Sequence, residues 1–187
     1  MSKEILINNN GFETRIALIE GGLTTEFWLE RKQQSSIVGN IYKARVQKVL
    51  PGLQAAFIDI GLEKSAFIHV SDFAEVENDV DKSQDVISSM IHEGQMLVVQ
   101  VYKDQIGTKG ARVTTQISIP SRYLVMMPNA PDLLAISSRI DDVEERNRLQ
   151  DLMQIINKDN EDFGLIARTN AEMMPQNLLE HDWQFLK

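Results

Sequence analysis

The sequence predicts an α+β fold weighted towards β-structure, and three features carry that prediction. Short runs rich in β-branched and aromatic residues, divided by glycine turns, fill most of residues 1–118. A polar, acidic stretch at 73–94 interrupts them as a long loop. Apolar residues at helical spacing first dominate after residue 140.

Residues 4–8, 14–20 and 24–30 read as a three-stranded meander turning at Asn10-Gly11 and Gly21-Gly22. So small a sheet cannot cover its own apolar face and needs a partner from elsewhere. Five further strands are predicted at 37–49, 53–60, 65–69, 95–102 and 110–118, with turns at Pro51-Gly52, Gly61-Leu62 and Gly107-Thr108. Alternation is clearest at 44–49 and 97–102. Five short strands in about eighty residues suit a closed barrel of the OB type, which binds oligonucleotides on one face. Within the acidic loop a short helix is expected around 86–91.

After Pro120 the pattern changes. Residues 123–127 form a strand ended by Pro128-Asn129-Ala130-Pro131, and 163–168 form another. Between them, 141–157 reads as a helix capped by Asp141 with Glu144 three residues on, its apolar stripe being Val143, Leu149, Leu152, Met153 and Ile156. A last helix spans 175–187, with Pro175 at its first position and Leu178, Leu179, Trp183 and Leu186 near one face. The sequence stops inside that helix or at its last turn, and a fragment of a longer protein is expected.

The 187 residues hold no run of about eighteen apolar residues and no apolar signal segment. A cytoplasmic location away from membranes follows as the expectation. Zero cysteines exclude disulfides and thiolate zinc sites, and His69, His92 and His181 are too scattered for a ligand set. No metal is expected on this chain. The net charge of −8 argues at first against a polyanion. Its distribution argues otherwise: 37–72 and 95–123 carry +1 and +3, while 73–94 and 124–187 carry −5 and −6.

An OB-type face grips single strands with aromatic rings for bases and with Lys or Arg for phosphates. Phe57 and Phe67 lie on the second and third barrel strands. Tyr42, Lys43 and Arg45 lie on the first, and Lys103, Lys109 and Arg112 flank the last turn. Each aromatic has core packing as its plain alternative, and each cation a solvated face. Arg168 and Thr169 end a strand shortly before a helix, where a guanidinium, a hydroxyl and free N–H groups can hold a terminal phosphate; the alternative is a surface arginine beside a capping threonine. Asp59, Glu63 and Asp72 are carboxylates without the convergence a magnesium nuclease needs, and no catalytic residue is expected here.

The runs Asn40-Ile41-Tyr42-Lys43-Ala44-Arg45-Val46, then 49–61 (Val-Leu-Pro-Gly-Leu-Gln-Ala-Ala-Phe-Ile-Asp-Ile-Gly), 107–115, 121–128 and Ile166-Ala167-Arg168-Thr169 resemble the ribonuclease E/G family in order and over nearly the whole chain. Segments 45–61 and 120–128 lean to its G-type members. The resemblance implies that 1–36 are the first strands of an RNase H-like subdomain, 37–118 an inserted S1 domain of OB type, and 119–187 an α/β 5′-sensor region. It implies that Phe57, Phe67 and Lys109 contact RNA, and Lys43 and Arg112 join them as RNA-binding candidates from the residue pattern. Arg168, Thr169, Arg139 and apolar Val125 would receive a 5′-monophosphate, with Ser138 where E-type members carry a second arginine. The parent enzyme would be a homo-oligomeric, magnesium-dependent, single-strand-specific endoribonuclease of RNA processing and turnover, preferring 5′-monophosphorylated RNA. Its catalytic carboxylates would lie outside these residues; the alternative is a natural truncation that binds RNA without cutting.

Overall fold

The computed structural model describes residues 2–31, 36–74, 86–158 and 162–187. The chain divides into two units, Met1–Ile37 and Val38–Lys187. In the first, β1 (Lys3–Asn9), β2 (Glu13–Glu20) and β3 (Leu23–Arg31) pair antiparallel in sequence order. The tight turn after β1 is closed by asparagine side chains: Asn9 Oδ1 accepts from Gly11 N at 2.9 Å, and Asn10 Oδ1 from Phe12 N at 3.1 Å and Glu13 N at 3.0 Å. None of this unit's described residues is buried, and Ile5, Ile7, Phe27 and Trp28 are 48–67% exposed. A meander of this size cannot fold over its own apolar side chains.

The second unit opens with a closed barrel of β4 (Ile41–Leu50), β5 (Ala55–Asp59), β6 (Ala66–His69), β7 (Met96–Lys103) and β8 (Arg112–Thr114), in the order β4-β5-β6-β8-β7. Closure depends on the long β4, which pairs with β7 over its first half and with β5 over its second, the register slipping between Val46 and Lys48. Ala44, Val46, Ile58, Ile68, Val99, Val101 and Val113 fill the interior at no more than 1% exposure. Each valine or isoleucine so buried contributes about 1.5–3 kcal/mol. The expected short helix is α1 (Ile87–Met90), whose start is held by the Gln54 carboxamide oxygen accepting from Val86 N and Ile87 N at 3.1 and 3.2 Å. Half of the predicted acidic loop, 75–85, lies outside the described residues.

The last barrel strand is much shorter than the 110–118 read from the sequence. Past Thr114 the chain's hydrogen bonds leave the ladder: Thr115 N donates to Asp72 O at 3.0 Å, and Ser118 N to the buried Gln100 carboxamide at 2.8 Å. Gln100 also donates to Gly39 O and Ser118 O, tying together the two ends of the barrel segment.

A four-stranded mixed sheet follows, ordered β11-β12-β10-β9, from β9 (Ile119–Pro120), β10 (Leu124–Met127), β11 (Leu134–Ile136) and β12 (Gly164–Ala167). Only β11 and β12 run parallel. One face packs against α2 (Val143–Asn157) and α3 (Gln176–Leu186) through Leu124, Met126, Leu149, Met153, Leu165, Leu179 and Trp183. Three expectations are corrected here. Helix α2 is capped by Asp142, which accepts from Glu145 N at 2.7 Å, one residue later than predicted. Val143 is 69% exposed and outside the apolar stripe, because six residues before Leu149 place it about 120° around the helix from that side chain. Leu178 is also on the outer side of its helix, at 38% exposure. Strands β9 and β11 went unread, being two and three residues long and too short to show alternation.

Two buried carboxylates anchor the helices, one to the sheet and one to the loop before α3. Asp182 on α3 accepts from Tyr123 N and Leu124 N, both at 2.9 Å, and from the Ser121 hydroxyl. Glu145 on α2 accepts two bonds from Arg148, at 2.7 and 2.6 Å, and one from Met173 N at 2.8 Å.

Candidate nucleic-acid interface

Two concave features stand out on the second unit. The larger, a groove of about 950 Å³, lies on the outer face of the barrel where β5, β6 and the β7–β8 turn meet. Phe57 and Phe67 are direct cross-strand partners in the β5–β6 register. Their rings sit edge to face, centroids 6.2 Å apart and planes at 69°. Because β5 alternates, Ala56 and Ile58 point into the barrel and Phe57 points out, leaving it 39% exposed. Exposed Phe57 and half-buried Phe67 together present ring surface to the groove; the core-packing alternative does not describe Phe57.

Cations ring the pair. Lys109, at the base of the Gly107-Thr108 turn, lines the groove together with Lys48, Lys64, Lys103 and Arg112, and Asp104 is the single acid among the lining residues. Lys64 spans the rim by donating to Gly107 O at 2.7 Å. Lys48, Lys103 and Lys109 make no ion pair with any described residue. Arg112 differs. It bonds Asp72 through Nε at 3.1 Å and Nη2 at 3.3 Å and packs over the Tyr102 ring at 5.3 Å. The Tyr102 hydroxyl donates to Asp72 at 3.2 Å, and burial together with the Asp72 charge pushes that phenol up to about 12, against the pull of Arg112. The charge of Arg112 is thus balanced, and the uncompensated positive potential of the groove comes from its lysines. Lys43 sits elsewhere, opposite Val98 on the outer face of β4 and β7, and does not line the groove.

Lys48 and Lys64 were not singled out from the sequence. Strict alternation after Ala44 and Val46 would put residue 48 inside the barrel. The register slip at Val46/Lys48 reverses that parity and pairs Lys48 with Phe57, and no sequence pattern announces it.

The second feature is a pocket of about 450 Å³ at the carboxyl ends of the two parallel strands, β11 and β12. Such strand ends are where open sheets with parallel strands place their ligands. Arg168 and Thr169 follow β12, and Ser137, Ser138 and Arg139 follow β11; all five line the pocket, and no acid does. The Ser137 and Thr169 hydroxyls are 3.1 Å apart, so the two strand ends are bridged. Arg168 is fixed at both ends, its N–H donating to Tyr123 O at 2.8 Å and its guanidinium to Ser121 O. Neither Arg139 nor Arg168 makes an ion pair with a described residue. Val125 does not line the pocket. It neighbours Ile166, which does, on the sheet face away from the helices.

No three His, Asp or Glu side chains gather among the described residues. Asp72 is committed to Arg112 and Tyr102, and the Asp59 carboxylate accepts from Gly61 N at 2.8 Å. These donors do not fit a magnesium ion. No helix among the described residues is long and apolar enough to cross a membrane.

Comparison with known proteins follows the same division. Residues 36–105 match the S1 RNA binding domain, and residues 118–187 match the ribonuclease E/G family. Over its whole length the chain is 47% identical to ribonuclease G of Salmonella typhimurium (strain SL1344), covering 39% of that protein. Ribonuclease G of Haemophilus influenzae is 46% identical over 98% of the chain and 38% of its own length. Ribonuclease E of Buchnera aphidicola subsp. Schizaphis graminum is 36% identical over 89% of the chain and 18% of its own length. The chain therefore spans well under half of these relatives.

Proposed function

Because the chain belongs to the ribonuclease E/G family and carries an S1 RNA-binding domain, we propose that it is the substrate-gripping part of a cytoplasmic, single-strand-specific endoribonuclease of RNA processing. In this reading 1–36 open an RNase H-like subdomain, 37–118 are the S1 domain and 119–187 sense the 5′ end. Bases stack on Phe57 and Phe67 while Lys109, Lys48 and Lys103 meet phosphates, with Arg112 as a charge-balanced wall. Arg168, Arg139, Thr169 and Ser137 receive a 5′-monophosphate, with Val125 and Ile166 as the apolar surface beside it. Magnesium and the carboxylates that bind it are assigned to the portion of the relatives this chain does not span, so the chain holds RNA without cutting it.

The observation that carries the reading is the acid-free pocket, lined by two arginines that have no ion-pair partner among the described residues and by two hydroxyls in contact with each other. A dianionic phosphate monoester satisfies all four groups through charge-assisted bonds. The test compares a short single-stranded RNA bearing a 5′-monophosphate with the same RNA bearing a 5′-hydroxyl. The phosphate should tighten binding by about 2 kcal/mol, and Arg168→Ala should abolish the difference while leaving 5′-hydroxyl RNA bound. Equal affinities in the parent chain would refute the sensor.

A further inference from the structure

We infer that Arg146, outside the pocket on the first turns of α2, is the positioning residue that presents the Ser138-Arg139 side of the phosphate pocket; the inference rests on the phosphate reading above. Arg146 Nη1 donates to Ser137 O and to Ile140 O, both at 3.0 Å. Ile140 N also donates to Ser137 O at 3.2 Å, closing a turn with Ser138 and Arg139 at its two central positions. A single guanidinium nitrogen therefore clamps both ends of the turn whose tip lines the pocket. The turn is held in place by Ile140, 1% exposed in the core, and by Ser137 N, which donates to Ala167 O at 2.8 Å. Ser137 Oγ reaches Thr169 Oγ1 on one side and accepts Arg139 N at 3.3 Å on the other.

This arrangement addresses a physical difficulty. Arg139 is exposed and makes no side-chain hydrogen bond or ion pair with a described residue. A long side chain without partners loses much rotamer freedom when it binds, so its contribution depends on a backbone already in place. Arg146 supplies that preorganisation from behind: it is half-buried and has no ion-pair partner among the described residues, and its side-chain bonds to described residues all go to the turn. Arg148, two residues on, is spent on Glu145 instead. The two arginines of α2 thus have different tasks, one tying the helix to the Met173 loop through Glu145 and one shaping a binding turn.

The experiment measures the affinity ratio of 5′-monophosphate to 5′-hydroxyl RNA for the parent chain and for Arg146→Met, Arg146→Lys and Arg168→Ala, with thermal unfolding alongside. Arg146→Met keeps the stem and removes the donors, and the ratio should fall from roughly tenfold or more to within about twofold of unity. Arg146→Lys, which keeps a donor and the charge, should recover most of it. Affinity for 5′-hydroxyl RNA should stay unchanged in both, as none of the turn's bonds to described residues reaches the barrel groove. A full ratio in Arg146→Met, with the ratio lost in Arg168→Ala, would overturn the inference alone. Loss of 5′-hydroxyl affinity in step with the ratio would also overturn it, marking Arg146 as general scaffold. A parent chain with no preference would overturn the phosphate reading and this inference together.

Discussion

In the proposed reading, the barrel groove and the strand-end pocket recognise by opposite means. The groove is broad and displays aromatic faces surrounded by lysines; the pocket is about half its volume and is lined by arginines and hydroxyls carried on turns that backbone bonds hold in place. Groove side chains come from adjacent strands in direct register, Phe57 against Phe67 and Lys48 against Phe57. Pocket side chains come from turns about thirty residues apart in sequence, joined through Ser137 and Thr169. A sequence-tolerant clamp needs area and charge, whereas reading a chain end needs fixed geometry. In the proposed reading the first lies on strand faces and the second where two parallel strands stop.

The strongest way to break this comparison is to damage one backbone framework at a time. A Cβ on Gly110 would lie 1.8 Å from Ser65 O, where the chain entering β8 crosses β6. One on Gly164 would lie 2.1 Å from Ala130 O and 2.9 Å from Leu133 Cβ, beside β11. Neither obstacle is the end of a flexible side chain, so Gly110→Ala and Gly164→Ala should each cost about 3 kcal/mol or more in urea unfolding. Their binding defects should differ: Gly110→Ala loses affinity for both RNAs, while Gly164→Ala loses mainly the 5′-phosphate preference. Identical defects in the two variants would show that groove and pocket are one recognition unit.

A finer cut separates stacking from charge within the groove. Phe57→Ala should weaken binding of both RNAs by about 1–3 kcal/mol with little change in salt dependence. Lys109→Ala should cost about 1 kcal/mol at low salt and reduce the slope of log affinity against log salt by roughly 0.7, the value for one single-strand phosphate contact. Arg112→Ala should change that slope less, because Asp72 already balances its charge. If Arg112 and Lys109 give equal slopes, the Asp72 pair opens on binding.

How much of this could be read from the residues follows the same line. The barrel strands, both main helices and the exposed aromatics repeat with the period of their element, so Phe57 and Phe67 were accessible to pattern alone. Lys48 was not, because one bulge reverses its parity. Nor were β9 and β11, too short to hold a period, or Ser137, whose role depends on a hydroxyl contact across thirty-two positions. Arg168 and Thr169 showed as a strand-end pair, while Arg139 and Val125 came only from family resemblance. Adjacent Asp141 and Asp142 are equivalent as caps on paper, and the choice fell to Asp142 because it places Glu145 inward, against Arg148 and Met173 N.

That last choice gives the smallest predicted effect and the one that isolates the pocket's side of the molecule. The Arg148 guanidinium, helped by Met173 N, holds the Glu145 carboxyl below its ordinary 4.5, against the opposing effect of burial. A carboxyl depressed in the folded state stabilises it at every pH above the unfolded value, and that contribution disappears as pH falls through the folded value. Glu145→Gln should therefore lower thermal stability at pH 7, and the gap to the parent chain should narrow as pH drops below about 4.5. Glu145 faces the Met173 loop and not the groove, so 5′-hydroxyl RNA affinity at neutral pH should not change. A gap that stays constant down to acid pH would mean that the Arg148 contact contributes through packing and not through charge.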